Sequence, residues 1–162
     1  MNANDHLTAD DRGVILHCLK CQRGNRIPFA RLHEAGRCGS CKAALPFPDL
    51  PVAIESMAGF SALVKTASLP VFIDFWAPWC GPCLAVAPEV TKLAALAAGE
   101  LLVVKVNTEE QPDIASNMTI RSIPTFAVFA VGRELDRMSG AMSAPQLRAF
   151  ARRAITNRRD GP

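Results

Sequence analysis

The segment 79–83, with the sequence Trp-Cys-Gly-Pro-Cys, places the strongest constraint on how this chain can fold. An apolar run of strand length, residues 70–76, precedes it, and an alanine- and leucine-rich segment, residues 83–98, follows it. The pattern predicts that both cysteines stand where a strand ends and a helix begins. In a strand–helix–strand setting, two cysteines separated by two residues indicate a redox-active dithiol.

A helix N-terminus favours a thiolate at the first cysteine of this pair. Unpaired backbone N–H groups and the partial positive charge of the helix stabilise a negative sulfur, so we expect a lowered pKa for Cys80. Cys83 lies about one turn later on the same helix face and can attack a mixed disulfide formed at Cys80. The alternative is a buried structural pair or half of a metal site. The tryptophans, the Gly-Pro spacer and the upstream strand favour the dithiol.

Composition narrows the class of protein further. Of the 162 residues, 49% are hydrophobic and 20% are charged, so the chain can bury a core and is not expected to be disordered. The net charge is only +3, and we interpret the arginines at 152, 153, 158 and 159 as a solvated tail, so no nucleic-acid partner is expected. The polar residues 1–12 are expected to lack regular structure.

The same sequence indicates a compartment. There is no secretory pattern at the N-terminus and no run long enough to span a membrane, so we expect a cytoplasmic protein without a membrane partner. Six cysteines in the cytoplasm indicate metal binding and catalysis more than a framework of structural disulfides.

A second cysteine pattern occupies the N-terminal third. Its members are Cys18, Cys21, Cys38 and Cys41. Two Cys-x2-Cys pairs separated by sixteen residues have the spacing of a four-cysteine zinc site. Four thiolates would complete a tetrahedral shell, so one zinc ion would be structural and would compensate for a small core. Iron, free thiols and disulfides are alternatives. His17 and His33 are additional candidate ligands that four cysteines make unnecessary.

The chain divides at a proline-rich connector, residues 46–51. We predict a zinc module with a short polar tail over residues 1–45 and a larger domain over residues 52–162. In the larger domain, alternating strand and helix patterns are followed by a hairpin and by a helix with a capping box at 143–146. This order predicts an α/β fold with a mixed sheet covered by helices on both faces.

The dithiol and its surroundings resemble the thioredoxin family. The resemblance rests on Asp-Phe-Trp-Ala at 74–77, Trp-Cys-Gly-Pro-Cys, Lys-Val-Asn at 105–107, Ile-Pro-Thr at 123–125 and Gly140, and it covers about residues 52–156. With the N-terminal cysteines added, the chain resembles the thioredoxin 2 type, a zinc module joined to a thioredoxin domain. The resemblance implies the thioredoxin fold and a protein-disulfide reductase that thioredoxin reductase and NADPH regenerate. No nucleotide-binding motif is present, so no bound nucleotide is expected.

Asp74 interrupts the apolar strand before the dithiol. Burial should raise the pKa of this carboxyl, which suits a proton acceptor near neutral pH. The resemblance implies that Asp74 takes the proton of Cys83 and that Lys105 tunes it. The alternatives are an aspartate held by backbone groups and a lysine whose ammonium reaches solvent.

The resemblance also implies a substrate-binding surface. It consists of Trp79, Gly81, Pro82, Ile123, Pro124 and Gly140, with Ala141 beside it. Pro124 would follow a cis peptide bond, and the backbone of Ile123 would pair with an extended substrate. Leu84 departs from the family, in which many members carry lysine or arginine at this position. The missing cation leaves the pKa of Cys80 open.

Two other function classes remain open from the sequence. One is a zinc-dependent redox sensor, in which oxidation of the N-terminal thiols ejects the metal. The other is a chaperone or interaction module, in which the dithiol is dispensable and Cys80→Ser keeps the biological activity.

Overall fold

A computed structural model describes residues 6–158 of the chain. Eight strands are present in this range: β1 (Leu7–Ala9), β2 (Gly13–His17), β3 (Gly24–Pro28), β4 (Val52–Ala53), β5 (Val71–Trp76), β6 (Leu102–Asn107), β7 (Thr125–Ala130) and β8 (Arg133–Ser139). The helices are α1 (Met57–Thr66), α2 (Gly81–Leu96), α3 (Pro112–Asn117) and α4 (Ala144–Asn157). No helix between residues 6 and 158 has the length and hydropathy needed to cross a bilayer.

All eight strands belong to one mixed sheet, in the order β3-β2-β1-β4-β6-β5-β7-β8. Strands β1, β4, β6 and β5 are parallel neighbours, while β2, β3, β7 and β8 pair antiparallel. The expected α/β fold with a mixed sheet is confirmed. The three N-terminal strands lengthen this sheet beyond β4.

Strand β1 corrects the expectation that residues 1–12 lack regular structure. Leu7 pairs with Val52 in parallel register, and the Leu7 N–H donates to the carbonyl of Pro51 at 2.8 Å. The strand forms because β4 offers an unpaired edge, and its own three residues are too few to show a strand period. Residues 1–5 lie outside the described residues, as does Arg159 of the C-terminal arginine cluster.

Local sequence signals explain where the helices begin. Ser56 caps α1 by accepting from the Gly59 N–H at 3.0 Å. The capping box predicted at the start of α4 is confirmed, with Ser143 and Gln146 each accepting from the other's backbone N–H. Helix α2 carries a proline in its first turn, as expected.

The sheet is covered on both faces. On one face, α2 and α4 enclose an apolar cluster in which Phe72 stacks on Phe126 and meets Phe150 edge-on. On the other face, Phe60 and Leu63 of α1 belong to a second cluster. Four buried residues of the N-terminal third join this second cluster: Val14, Leu16, Phe29 and Leu32. The N-terminal third therefore shares a core with the rest of the protein.

The proline-rich connector contains no helix or strand, and it lies against the larger domain. Pro48 and Pro51 are buried, and the Phe47 ring packs beside Gly99, which lies in the turn after α2. A methyl group added to Gly99 would meet this ring at 3.1 Å. The boundaries at residues 45 and 52 stay a prediction.

Candidate functional site

The dithiol lies where β5 gives way to α2. Cys80 is the N-cap residue of α2, and its sulfur accepts from the Cys83 N–H at 3.2 Å. The two cysteines are joined as a disulfide with Cα atoms 5.2 Å apart. Both are buried, whereas the side chain of Trp79 is 71% exposed. The helix terminus thus directs a backbone donor at the first sulfur, as the sequence predicts.

A second loop faces the disulfide. The Ile123–Pro124 peptide bond is cis, which confirms the expectation, and the Ile123 carbonyl oxygen lies 3.8 Å from Cys80 Sγ. Gly140, in the loop after β8, has a φ of +101° and donates its N–H to the Pro124 carbonyl at 3.0 Å. This φ favours glycine, so the residue type at 140 supports the loop that faces the dithiol.

Asp74 is buried beneath this surface. The residue is 1% exposed, and its Oδ1 has no hydrogen-bond partner among the described residues. Burial raises the pKa of the Asp74 carboxyl to about 7, against the opposing attraction of Lys105. The predicted rise in pKa is confirmed. The missing partner at Oδ1 argues against an aspartate held only by backbone groups.

Lys105 is the neighbour of Asp74 in the sheet. The two residues are paired in register across parallel strands β6 and β5. Lys105 is only 9% exposed, and its Nζ lies 4.5 Å from the centre of the Trp76 ring. The ammonium therefore stays beside the aspartate and a tryptophan instead of reaching solvent.

Leu84 leaves the dithiol without a cation at the next position of the helix. Its side chain is 50% exposed, one residue after Cys83. Together with exposed Trp79, it gives the surface beside the disulfide an apolar character. Such a surface suits an unfolded or extended polypeptide more than a charged small molecule.

The four N-terminal cysteines converge on one point. Their sulfur atoms all lie within 4.8 Å of one another. The Sγ–Sγ distances are 3.6 Å for Cys18–Cys41 and 3.6 Å for Cys21–Cys38. Four sulfurs about 2.3 Å from a zinc ion would be separated by about 3.8 Å in a tetrahedron, so the donor set fits this metal. His17 and His33 are exposed and lie outside the cluster.

The two cysteine pairs have the same backbone geometry. The N–H of Gln22 donates to the Cys18 carbonyl at 2.8 Å, and that of Lys42 donates to the Cys38 carbonyl at 3.0 Å. Gln22 and Lys42 have φ values of 60° and 62°. The sequence offers glycines nearby, at 24, 36 and 39, but non-glycine residues occupy these positive-φ positions. A left-handed residue closes each turn and brings its pair of sulfurs together.

The protonation of these thiols also fits a shared cation. The backbone N–H groups of Cys41 and Ser40 lower the pKa of Cys38 to about 6. Although the N–H of Ala43 lowers the pKa of Cys41, burial and the neighbouring sulfurs raise it to about 11. The thiolate form is thus favoured at Cys38 and opposed at Cys41. Four thiolates in this volume would repel one another, so they need a cation between them.

Comparisons with known proteins match both the part that carries the dithiol and the segment that carries the four cysteines. The family model described as Thioredoxin matches residues 51–153. The chain belongs to the thioredoxin family. A second family model, described as Thioredoxin 2, N-terminal, matches residues 17–43 and so includes the four-cysteine cluster. The thioredoxin 2 type indicated by the sequence is confirmed, and the chain is a thiol–disulfide oxidoreductase with a zinc-ribbon segment.

Relatives with this fold cover most of the chain. Thioredoxin 1 of Chlorobaculum tepidum is 47% identical over 93 residues, which is 57% of this chain and 92% of that protein. Thioredoxin C-3 of Corynebacterium nephridii is 34% identical over 137 residues, 85% of this chain and 92% of that protein. The solved structure of Malassezia sympodialis thioredoxin has a TM-score of 0.58 and 34% identity, and covers 63% of this chain and 90% of that chain.

One residue near the thioredoxin site was missed from the sequence. The sequence predicts that His6 belongs to the irregular N-terminal tail, yet it lines a cavity together with Lys105 and Trp76. No local signal marks it, because the contact depends on the pairing of β1 with β4.

Proposed function

We propose that this thioredoxin-family chain is a protein-disulfide reductase. The observation that carries the proposal is the Cys80–Cys83 disulfide at the start of α2, beside exposed Trp79 and facing the cis peptide before Pro124. A pair that closes a disulfide in this position can hold the two electrons that a substrate disulfide consumes.

The reaction proceeds through two exchanges. The Cys80 thiolate attacks one sulfur of the substrate disulfide, forms a mixed disulfide and releases the other substrate sulfur as a thiolate. Cys83 then attacks Cys80, which forms the internal disulfide and releases the second substrate thiol. The substrate gains two electrons and two protons, and the dithiol loses them.

Asp74 accepts a proton during the second exchange. Cys83 must lose its proton to become a nucleophile, and a buried carboxylate with a pKa of about 7 can take it at neutral pH. Lys105 opposes the effect of burial and keeps a fraction of Asp74 ionised. Both roles depend on the burial of these side chains below the dithiol.

The substrate segment docks in extended form on the apolar surface. Its backbone pairs with Ile123, and its side chains contact Trp79 and the loop of Gly140. Gly81 and Pro82 add backbone and ring surface beside the disulfide. Gly81 and Gly140 each have open space where a Cβ would be, with no atom within 4 Å, so a substrate can approach the backbone there.

The electrons come from thioredoxin reductase and NADPH. This partner is proposed from the family, and oxidised proteins are the proposed substrates. We place the protein in the cytoplasm, because cysteines used for metal binding and for a working dithiol suit a reducing compartment.

The four-cysteine cluster holds one structural zinc ion. All four thiolates are used as ligands, so no coordination position remains for a substrate. The metal would fix the turns after β2 and before the connector, within a zinc module over residues 1–45.

The test is turnover coupled to the reductase. With thioredoxin reductase and NADPH, the protein should reduce a protein disulfide, Cys80→Ser should abolish the reaction, and Cys83→Ser should accumulate the mixed disulfide. A Cys80→Ser protein that keeps full biological activity would favour a chaperone or interaction module. Native mass spectrometry that finds zinc lost under peroxide concentrations that leave the fold intact would favour a redox sensor.

A further inference from the structure

A cavity lies behind the dithiol and joins the N-terminal third to the thioredoxin part. Its volume is about 320 Å³. Its lining includes His6, Glu55, Trp76, Lys105 and Glu110. We call this space the rear cavity.

The sheet register explains why this segment reaches the cavity. Thr8, Ala53, Lys105 and Asp74 occupy successive positions of one row across β1, β4, β6 and β5. Residues in one row point to the same face of a sheet, and residues two apart on a strand share that face. His6, two residues before Thr8, is therefore placed on the face that carries Asp74.

The imidazole of His6 has one nitrogen that makes no hydrogen bond within the described residues. Its Nδ1 is buried and has no hydrogen-bond partner among the described residues. A buried imidazole nitrogen without a partner is costly, so the arrangement requires a compensating role or a water molecule within the cavity. The volume of the rear cavity is sufficient for several water molecules.

The proposed reaction creates a need for a proton path. Asp74 is 1% exposed, and a proton that it accepts must reach solvent before the next turnover. Lys105 is the register neighbour of Asp74 and also lines the rear cavity. The cavity therefore begins one side chain away from the buried carboxyl, and His6 forms another part of its lining.

We propose that His6 completes the proton path between Asp74 and solvent, so that the N-terminal strand contributes a positioning residue to the chemistry of the dithiol. The inference rests on the proposed role of Asp74 as proton acceptor. Cys83 gives its proton to the Asp74 carboxylate, the carboxyl passes it to water in the rear cavity, and an imidazole nitrogen of His6 takes it up and releases it to solvent. No bond other than those to the proton changes in this relay.

Charged groups from every neighbouring element face this path. They are Asp74 of β5, Lys105 of β6, Glu55 after β4 and Glu110 before α3. The two glutamates and the lysine have opposite charges, so the cavity can stabilise a proton in transit without a large net charge.

The experiment is multiple-turnover reduction of a protein disulfide by the full-length protein, with excess thioredoxin reductase and NADPH, followed by NADPH absorbance from pH 6 to 9 in weak buffer. His6→Ala should slow exchange about tenfold near pH 7, since water replaces a positioned proton carrier incompletely. Added imidazole should restore the rate of His6→Ala. His6→Gln should be slow as well, and imidazole should not rescue it because the glutamine side chain fills the space.

The control is His33→Ala, which removes an exposed imidazole elsewhere and should leave every rate unchanged. If both His6 variants exchange at the wild-type rate while Asp74→Asn is slow, the path through His6 is overturned and the proposed reaction stands. If His6→Ala is slow but imidazole does not restore it, His6 is structural and the inference also fails. If Asp74→Asn itself exchanges at the wild-type rate, the proposed proton acceptor is wrong.

Discussion

Asp74 and Lys105 face each other across adjacent parallel strands, and both are almost completely buried. Their attraction offsets part of the cost of burying the carboxylate, but burial has the larger effect, since the pKa of Asp74 is raised. The pair therefore destabilises the folded protein whenever Asp74 is ionised. A residue kept at such a cost is typical of a functional site.

Replacing Asp74 with asparagine should make the protein more stable at high pH. The folded pKa of about 7 exceeds the ordinary value of 3.8, so the favourable contribution of Asp74 is complete below pH 4 and is lost as the pH rises through 7. The difference between the two values corresponds to about 4 kcal/mol, an upper limit for the gain above pH 8. Urea unfolding at pH 4.5 and pH 8.5 measures it.

Asp49→Asn is the matched control, because Asp49 is exposed in the connector and the substitution makes the same chemical change. It should leave stability unchanged at both pH values. An Asp74→Asn protein that gains equally at pH 4.5 and pH 8.5 would contradict the argument, since the gain would then not come from ionisation.

The residues around the dithiol could be predicted because local patterns specify them. An apolar run with one aspartate predicts β5, and Cys-x2-Cys with proline in the first turn predicts the start of α2. The capping box before α4 is equally local. In each case, the sequence pattern lies within a few residues of the strand or helix end that it predicts.

The pairing of the N-terminal third with the sheet could not be predicted in this way. Strand β1 has three residues, and its partner β4 has two, so neither carries a clear period. Their pairing is set by the docking of Val14, Leu16 and Phe29 into the core under α1. The position of His6 follows from that pairing, which explains why its sequence context gave no indication of it.

Loss of zinc should destabilise both parts of the chain together. Cys38→Ser removes a buried ligand, and the adjoining strands share a core with α1. Metal bound a thousandfold above its Kd contributes about 4 kcal/mol, and this is the expected loss. Thermal unfolding detected by tryptophan fluorescence, with and without a chelator, measures it, because both tryptophans lie near the dithiol.

Ser40→Ala is the control for this experiment, since Ser40 lies between two of the cysteines but is exposed and supplies no sulfur. It should keep the metal and the thermal transition. A chelator that removes zinc without shifting the tryptophan transition would show that the two parts unfold independently, despite the shared core.

Introducing a cation after the dithiol should lower the pKa of Cys80. In Leu84→Lys, an ammonium near the start of α2 adds to the helix terminus that already favours the thiolate. Leu84 is half exposed, so solvent screens the effect, and we expect a decrease of about half a pKa unit. The rate of alkylation of the reduced protein as a function of pH measures it.

Leu96→Lys introduces the same charge at a similarly exposed position, at the far end of the same helix. It should leave the pKa of Cys80 unchanged. An equal decrease in both variants would mean that overall charge, and not proximity to the dithiol, is responsible.

The contact between Gly99 and the Phe47 ring should make Gly99 less tolerant of a side chain than Gly132. Both glycines have positive φ, +82° and +74°, but only at Gly99 would a Cβ meet other atoms within 4 Å. Gly132→Ala should therefore cost about 1 kcal/mol from backbone conformation alone, while Gly99→Ala should cost about 1 kcal/mol more from the displaced ring. Denaturant unfolding of both variants in a Phe47→Ala background separates the two effects. Removing the ring should equalise the two costs, and a difference that persists without the ring would contradict packing of the connector against this turn.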